Sequence, residues 1–201
     1  MSEAETMNLS EMIGLVRLEL KDNTEPYRWT DYELERHIRH AVKDLAEAIP
    51  CEQKSAVATT AGSRDISLSN ITGLVMVEAV EYPVDQFLRS FQPFSLWADI
   101  VTLSGEDIPD GSNAHIYYGK LHTLDESSST IPAKHEDLVA AGASGYAAVE
   151  LAAYSINRIN LGTATPGEFL NWGNQRLDYF RNQLKRLGRR NRVRVRRLYT
   201  I

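Results

Sequence analysis

Cysteine is nearly absent from this sequence, and no long uninterrupted apolar run occurs in it. Cys51 is the single cysteine among 201 residues, so no disulfide can form within one chain, and synthesis in a reducing compartment is expected. The most apolar stretch, residues 138–156, is interrupted by glycine, serine and a glutamate, which predicts no membrane span. Residues 1–7 are acidic rather than basic, which predicts no secretory signal peptide.

The sequence also lacks the short motifs that mark common enzyme classes. It has no Walker-type phosphate loop, no Gly-x-Gly-x-x-Gly after a strand and no Gly-x-Ser-x-Gly elbow. The glycine-containing segment 142–145 (GASG) lies inside an alanine-rich helical run, so it predicts close helix packing rather than phosphate binding. We therefore expect a protein that is not an enzyme, with no catalytic residue and no cofactor. A small enzyme whose site these patterns do not reveal is the third-ranked alternative.

Five histidines are the candidates for a metal site. Glu33, His37 and His40 are spaced four and then three residues apart, so they could share one face of a helix. Arginines are interleaved with them, and a neighbouring cation repels a bound metal ion, so a solvated helix surface is the favoured interpretation. The other three show no metal-ligand or nucleophile spacing: His115, His122 and His135. No metal site is predicted.

Charge is divided unevenly along the chain. Residues 179–201 hold nine of the twenty-two Lys and Arg and no Asp or Glu, so this segment is near +9. Residues 1–178 hold the other thirteen together with all twenty-seven acidic side chains and are near −14, which leaves the net charge of −5. A short basic extension on an acidic body is typical of a segment that attaches to something outside its own core.

Four helices are predicted from apolar spacing and capping residues. Asn8 with Glu11 forms a cap for the first, and Thr30 with Glu33 forms a capping box for the second. The helices are expected over about residues 9–20, 30–49, 132–160 and 165–188.

Residues 51–124 change to short β-like runs separated by turn residues, which predicts a small antiparallel β module. The predicted runs are residues 56–60, 74–82, 94–103 and 114–121. Phe87, Phe91 and Phe94 could instead belong to a loop that packs on this module. The predicted fold class is α+β and mainly α: a four-helix bundle with an inserted small antiparallel β module and an extended C-terminal tail. The predicted domains are the bundle (1–50 and 130–188), the β module (51–125) and the docking tail (189–201).

The C-terminal segment has the alternation of a β-strand. Arg192, Arg194 and Arg196 alternate with valines, so an extended conformation places charges on one face and β-branched side chains on the other. Such a strand is stabilised by joining the edge of a partner's sheet, while its arginines pair with carboxylates or phosphates. The predicted partner-binding residues are Arg189, Arg190, Arg192, Val193, Arg194, Val195, Arg196, Arg197, Leu198, Tyr199, Thr200 and Ile201.

Two other uses of this segment are weighed against docking. A disordered basic tail would only aid solubility, but the apolar end at residues 198–201 (LYTI) argues against it. Nucleic-acid binding would use phosphate contacts and give salt-dependent, sequence-independent affinity. The acidic body would repel the same duplex, and the basic run lacks the interleaved aromatic residues that stack on single strands, so this interpretation ranks second.

Five segments of the sequence occur in a characteristic order: a leucine-rich first helix, residues 29–34 (WTDYEL), a helix ending at 48–50 (AIP), residues 80–83 (VEYP), and residues 117–124 (YYGKLHTL) before an alanine-rich helix. In these segments, and over most of its length, the sequence resembles the head-to-tail adaptor (connector) proteins of tailed bacteriophages. The predicted β module is larger than in the simplest adaptors, which are nearly all helical.

The resemblance implies a structural protein of the virion neck. Adaptors of this family form a ring, usually of twelve copies, below the portal protein, where they extend the DNA channel and offer a platform for the next neck or tail protein. Their C-terminal segment commonly docks on the portal, and residues 189–201 are the counterpart here. The expected partners are therefore the portal, neighbouring copies and the next neck protein, with DNA passing through without sequence-specific binding and with no membrane. An acidic body suits a channel wall, since like charge keeps DNA from adhering.

Overall fold

The structure, a computed structural model, describes residues 6–155 and 166–196. The chain is divided into two compact units. The first, here called the helical unit, comprises Met1–Ala48 and His122–Gly188. The second, here called the β unit, comprises Ile49–Leu121 together with the residues from Arg189 onward.

Helix α1 (Leu9–Leu20) begins at the predicted cap. The backbone N–H of Glu11 donates to the Asn8 side chain at 3.0 Å, and the backbone N–H of Asn8 donates to the Glu11 carboxylate at 2.8 Å. The helix ends where Lys21 takes a left-handed conformation, with φ of 56°. The predicted first helix is confirmed.

Helix α2 (Asp31–Ala48) follows the second predicted capping box. The backbone N–H of Thr30 donates to the Glu33 carboxylate at 2.8 Å, and the backbone N–H of Glu33 donates to the Thr30 hydroxyl at 3.2 Å. One face of this helix is buried: Leu34, His37, Ile38, Ala41, Val42, Leu45 and Ala46. The helix stops short of Pro50, as the sequence predicts.

A 3-10 turn (Ala133–His135) leads into helix α3 (Glu136–Ser155), and helix α4 spans Pro166–Arg196. A Cβ atom added at Gly142 would lie 2.9 Å from the Phe180 ring, and one added at Gly145 would lie 2.9 Å from Leu177 Cγ. The two helices therefore pack closely because these positions carry no side chain. The close packing predicted for residues 142–145 is confirmed. Among the described helices, none has both the length and the apolar character that crossing a bilayer requires.

In its described residues the β unit contains six strands in two antiparallel sheets. The strands are β1 (Cys51–Ala58), β2 (Asp65–Ser67), β3 (Leu74–Glu81), β4 (Phe94–Trp97), β5 (Ile100–Leu103) and β6 (Asn113–Lys120). One sheet has the order β1-β6-β3 and the other the order β2-β5-β4. The two sheets share one core, built from Ile66, Leu68, Val80, Tyr82, Val101, Leu103, Ala114, Ile116 and Tyr118. Burial of these side chains from both sheets stabilises the unit.

The predicted fold class is wrong. The part between α2 and α3 is not a small module added to a four-helix bundle, because it forms two three-stranded sheets with a core of their own. The protein is a mixed helix-and-sheet structure. The sequence pattern missed β2, which has only three residues, and merged β4 with β5 into one run. The turn between those strands is Ala98-Asp99, without the Gly or Asn that usually marks a two-residue hairpin, although Ala98 does have a positive φ of 49°.

The predicted extended tail is also wrong for residues 189–196, since α4 continues through Gly188 and ends at Arg196. A single glycine costs a helix only about 1 kcal/mol relative to alanine, and arginine is a good helix former. These preferences, together with the preceding turns of α4, outweigh the alternation of arginine and valine. The remaining predicted tail residues, 197–201, lie outside the described part of the chain.

Candidate interaction surfaces

Helix α4 carries a basic surface in its described C-terminal half. Leu177 and Phe180 are buried on one side of this helix, and Leu184 and Leu187 are half-buried. The cationic side chains are exposed: Arg181, Lys185, Arg186, Arg189 and Arg190. We call these five residues the basic face. Since residues 179–201 contain no acidic side chain, this face has no counter-charge from its own segment.

Two of the predicted partner-binding residues, Arg189 and Arg190, are thus placed on an exposed helix surface. For residues 192–196 the structure gives helical backbone, so the strand-type docking predicted for them is wrong in conformation. The partner-binding role of residues 189–201 stays a prediction. A basic helix can recognise a partner as well as a basic strand can, through charge pairs along an exposed face.

The loop between β3 and β4 presents apolar side chains to solvent. In residues 83–90, here called the 83–90 loop, Phe87 is 100% exposed and Leu88 is 77% exposed. Asp85 and Leu88 both have positive φ values, of 60° and 59°, and this conformation is uncommon for residues other than glycine and costly for a bulky side chain. Exposed apolar residues on a strained loop are typical of a contact surface.

The base of the 83–90 loop is fixed by hydrogen bonds. The backbone N–H of Tyr82 donates to the Ser90 carbonyl at 2.9 Å, and that of Gln92 donates to the Val80 carbonyl at 2.8 Å. The buried Gln92 amide donates to the Tyr82 carbonyl at 2.6 Å and to Asp107 Oδ2 at 2.9 Å. The ends of the loop are therefore held in place, which lowers the entropy lost when the tip binds a partner.

A buried carboxylate lies beside this base. Glu81 Oε2 accepts a hydrogen bond from the Tyr117 hydroxyl at 2.6 Å and lies 3.3 Å from His115 Nδ1. Burial raises the pKa of Glu81, but the hydrogen bonds from Tyr117 and His115 outweigh burial and hold the pKa below its ordinary value. Tyr117 also packs edge-on against Phe91, with ring centroids 5.8 Å apart. The cluster joins β3 to β6 and secures the end of the loop.

A second apolar surface lies at the turn of the β4–β5 hairpin. Trp97 pairs with Ile100 across the turn, and these two side chains are 85% and 45% exposed. The neighbouring pair, Leu96 and Val101, lies on the opposite face of the hairpin, where Val101 is fully buried and Leu96 is 41% exposed. Trp97 and Ile100 therefore occupy the face of the hairpin that points away from Val101 and toward solvent.

The helical unit contains an open cleft of about 360 Å³ at the C-terminal end of α1 and the first turns of α4. Its lining residues are Glu19, Leu20, Lys21, Glu168, Phe169 and Trp172. Arg28 lies over the Phe169 ring at 5.2 Å, and Arg176 lies over the Trp172 ring at 5.7 Å. The Arg176 guanidinium also donates to the Glu19 carboxylate. Apolar side chains flanked by charged ones give this cleft the character of a binding site for an amphipathic segment.

The structure distributes the histidines differently from the prediction. His37 is buried on α2, with Nε2 3.5 Å from Glu150 Oε2, so the solvated surface expected for it is wrong. Burial lowers the pKa of His37 below its ordinary value. His40 is exposed and stacks on Tyr146, with ring centroids 4.1 Å apart. Among the described residues no group of three His, Cys, Asp or Glu side chains could hold a metal ion. The absence of a cofactor or catalytic activity stays a prediction.

Sequence reasoning missed the exposed apolar residues. The alternative that Phe87, Phe91 and Phe94 belong to a loop packing on the β module holds for Phe91 and Phe94, which contact the β unit, but not for the fully exposed Phe87. The signal that separates them is position: Phe91 lies in an isolated bridge with Glu81, and Phe94 begins a strand, whereas Phe87 lies between turn residues. The exposure of Trp97 could not be predicted, because the sequence pattern joins β4 and β5 into one run and the alternation of side chains in that run cannot be assigned to the faces of a sheet.

No protein-family model matches the sequence, and a search of curated proteins gives no match. Among solved structures, a chain described as "Neck of empty GTA particle computed with C6 symmetry" is similar at 14% sequence identity, with a TM-score of 0.30. The similarity covers 86% of this chain and 92% of that chain. A TM-score of this size does not establish a shared fold, so no function is inferred from it.

Proposed function

We propose that this chain is a non-enzymatic structural protein of a phage-type virion neck, which forms a ring below the portal, extends the DNA channel and joins the capsid to the tail. The observation that carries the proposal is the exposure of Phe87 and Trp97 on the β unit. Exposure of a whole phenylalanine side chain and of most of a tryptophan side chain to water is unfavourable, and such residues commonly mark protein contacts. The proposal also draws on the resemblance of the sequence to adaptor proteins.

A ring needs two different contact surfaces on each copy. Head-to-tail contacts between unlike surfaces produce a closed ring when the rotation between copies closes. The 83–90 loop and the β4–β5 turn each present apolar residues, and the cleft of the helical unit offers a concave apolar surface. The chain therefore carries both protruding and receiving surfaces, as a head-to-tail assembly requires.

The C-terminal segment, residues 189–201, is proposed to dock on the portal. Arg189 and Arg190 are exposed on a helix that runs to Arg196, so the segment would engage a groove as a helix along at least part of its length. Its arginines would pair with carboxylates of the portal, and each such pair is a charge-assisted hydrogen bond. The apolar end predicted from residues 198–201 would add burial.

The acidic body suits a protein through which DNA passes. Residues 1–178 are near −14, and a duplex phosphate backbone is repelled by a surface of the same sign. Packaged DNA would then move past the ring without adhering to it. The opposite charge of the C-terminal segment would be shielded by its docking site.

A second candidate function, nucleic-acid binding, is favoured by one observation. The basic face places five cations on exposed turns of α4, and such a surface would contact phosphates without reading sequence. The affinity would fall steeply with salt, because each phosphate contact releases a counterion. The acidic body opposes this use, so we rank it second.

Deletion of residues 189–201 separates the two functions. We expect the shortened chain to lose at least about tenfold in affinity for the portal, since it lacks the docking segment, while its weak affinity for duplex DNA at 50 mM and 200 mM salt stays unchanged. The double substitution Lys185→Gln with Arg186→Gln is the matched control, because it lowers the charge of the basic face without touching the segment. Unchanged portal binding together with lost, salt-sensitive DNA binding would contradict the proposal and support the second candidate.

A further inference from the structure

We propose that the 83–90 loop of one copy inserts into the cleft of the helical unit of a neighbouring copy, and that this contact closes the ring. The inference rests on the proposed ring and names the residues that would form its repeated interface. The inserted residues are Phe87 and Leu88, and the receiving residues are Leu20, Phe169 and Trp172.

The first argument is the shape and exposure of the loop. Phe87 makes no contact that shields it, since it is 100% exposed, and Leu88 beside it is 77% exposed. The hydrogen bonds of Tyr82 and Gln92 hold the base of the loop in one arrangement. An apolar tip on a fixed base is organised in advance for insertion, because little freedom remains to be lost when it binds. Aromatic side chains of this kind commonly supply the anchoring contact of an interface.

The second argument is the composition of the cleft. It offers about 360 Å³ of open space, within the size range of sites that enclose a small ligand or a pair of side chains. Leu20, Phe169 and Trp172 provide apolar surface, and two aromatic rings suit an edge-to-face contact with an incoming phenylalanine. A concave apolar site on the helical unit thus matches a convex apolar tip on the β unit of another copy.

Charge provides the third argument. The apolar tip is flanked by one acid and one base, Asp85 and Arg89, which are both exposed. The charged residues that line the cleft are Glu19, Glu168 and Lys21, and Arg28 and Arg176 lie over its aromatic rings, with Glu19 already paired with Arg176. Asp85 of the loop can therefore face the cations of the cleft, and this pairing favours one direction of insertion.

The contact joins two different surfaces of identical chains, so it is head-to-tail. Each copy uses its loop on one neighbour and its cleft on the other, and the pattern repeats until the ring closes. The role assigned to Phe87 is therefore that of an anchor between copies. Trp97 is not needed for this contact and stays available for another neck protein.

The first experiment measures assembly of the full chain on the portal as a function of protein concentration. We expect Phe87→Ser to raise the concentration that gives half-maximal ring assembly by roughly tenfold or more. Ile108→Ser is the matched control, because Ile108 is a large apolar residue of the β unit that is also exposed, at 55%, outside the 83–90 loop. We expect the control to change assembly by less than about twofold. Thermal unfolding of both variants verifies that they are folded.

The second experiment locates the contact by cross-linking two different variants. In a Cys51→Ser background, one copy carries Gln86→Cys and the other carries Gly167→Cys, and the two are mixed, assembled and treated with a short bismaleimide. Position 86 is exposed beside Phe87, and a Cβ added at Gly167 meets no atom within 4 Å. A covalent dimer of the two variants is expected, and because each variant has one cysteine, the product arises only between copies. Asn182→Cys, exposed on α4, replaces Gln86→Cys as the control and is expected to give little product.

The outcomes separate this inference from the proposed function. Rings that assemble equally well with Phe87→Ser and with Ile108→Ser overturn the inference and leave the proposed function standing. The inference is also overturned if Gly167→Cys is cross-linked to Leu198→Cys and not to Gln86→Cys, because the occupant of the cleft is then the C-terminal segment. If the unsubstituted chain forms no ring with the portal, the proposed function fails and the inference fails with it.

Discussion

Arg17 and Asp22 form a buried ion pair, with Arg17 Nη1 2.8 Å from Asp22 Oδ2 and both residues less than a tenth exposed. Asp22 also accepts hydrogen bonds from the backbone N–H groups of Arg28 and Trp29, at 2.8 Å and 3.3 Å. Arg17 in turn donates to the Trp29 carbonyl at 2.9 Å. The pair therefore holds the connection between α1 and α2 in place, and the entry into α2 depends on it.

Replacement of Asp22 by alanine should lower the free energy of unfolding by about 1–3 kcal/mol, because it removes one of the two carboxylates that pair with the buried Arg17 charge and leaves Asp31, at 2.7 Å, as its partner. Urea unfolding followed by circular dichroism measures the change. Arg39→Ala, which removes an exposed ion pair with Glu35, is the matched control and should cost about 0.3–0.5 kcal/mol. Equal losses for the two variants would show that the buried pair does not organise the connection.

Substitution of Gly145 by alanine should destabilise the helical unit by about 1–3 kcal/mol. The new methyl would lie 2.9 Å from Leu177 Cγ and 3.2 Å from Arg176 Cβ, so α3 and α4 would have to move apart. Gly14→Ala in α1 is the control, since no atom lies within 4 Å of its added Cβ, and it should stabilise by roughly 0.5–1 kcal/mol through helix propensity. Thermal unfolding compares the two. A gain in stability at both positions would refute the close packing of these helices.

The stability of the chain should fall as the pH is lowered below about 6.5. Burial lowers the pKa of His37 in the folded state, although the Glu150 carboxylate 3.5 Å away partly opposes this. The unfolded state then binds the proton more readily, so the contribution of His37 is fully present above its unfolded pKa and is lost as pH falls toward its folded pKa.

Urea unfolding between pH 7.5 and 5.5 tests this effect. The His37→Gln variant should show a shallower pH dependence than the unsubstituted chain, because glutamine does not titrate. His135, whose pKa burial also lowers, should leave a residual slope in the variant. Identical slopes in the two proteins would mean that His37 is not the group responsible.

Features decided by neighbouring residues could be predicted from the sequence. The caps at Asn8 and Thr30 are local hydrogen-bond patterns within one turn, and both occur where the residue types place them. The close approach of α3 to α4 follows from the absence of side chains at Gly142 and Gly145, which is also a local property.

Features decided by tertiary packing could not be predicted in this way. The period-2 pattern of residues 192–196 favours a strand, but a strand needs a partner for its backbone, whereas the preceding helix already supplies hydrogen bonds for the next turn. The second sheet could not be predicted from the sequence, because β2 has only three residues and gains its stability from pairing with β5. The burial of His37 was knowable in part, since it lies three residues after Leu34 and four before Ala41 on the buried face.

Of the candidate interaction surfaces, one can be predicted from the sequence and the others cannot. The basic character of residues 181–190 is visible in the sequence, because charge does not depend on the fold. The exposure of Phe87 and Trp97 is not visible, since apolar residues in a β-rich segment are expected to be buried until the turns and faces are assigned.

Imaging of single particles of the purified full-length chain, alone and after mixing with its portal protein, tests the central claim most directly. The account predicts closed rings of this chain on the portal, seated on its tail-facing side, whether or not the free chain is monomeric. The account is contradicted if the portal carries no ring at protein concentrations well above those of the assembly assay and the free chain forms no ring either.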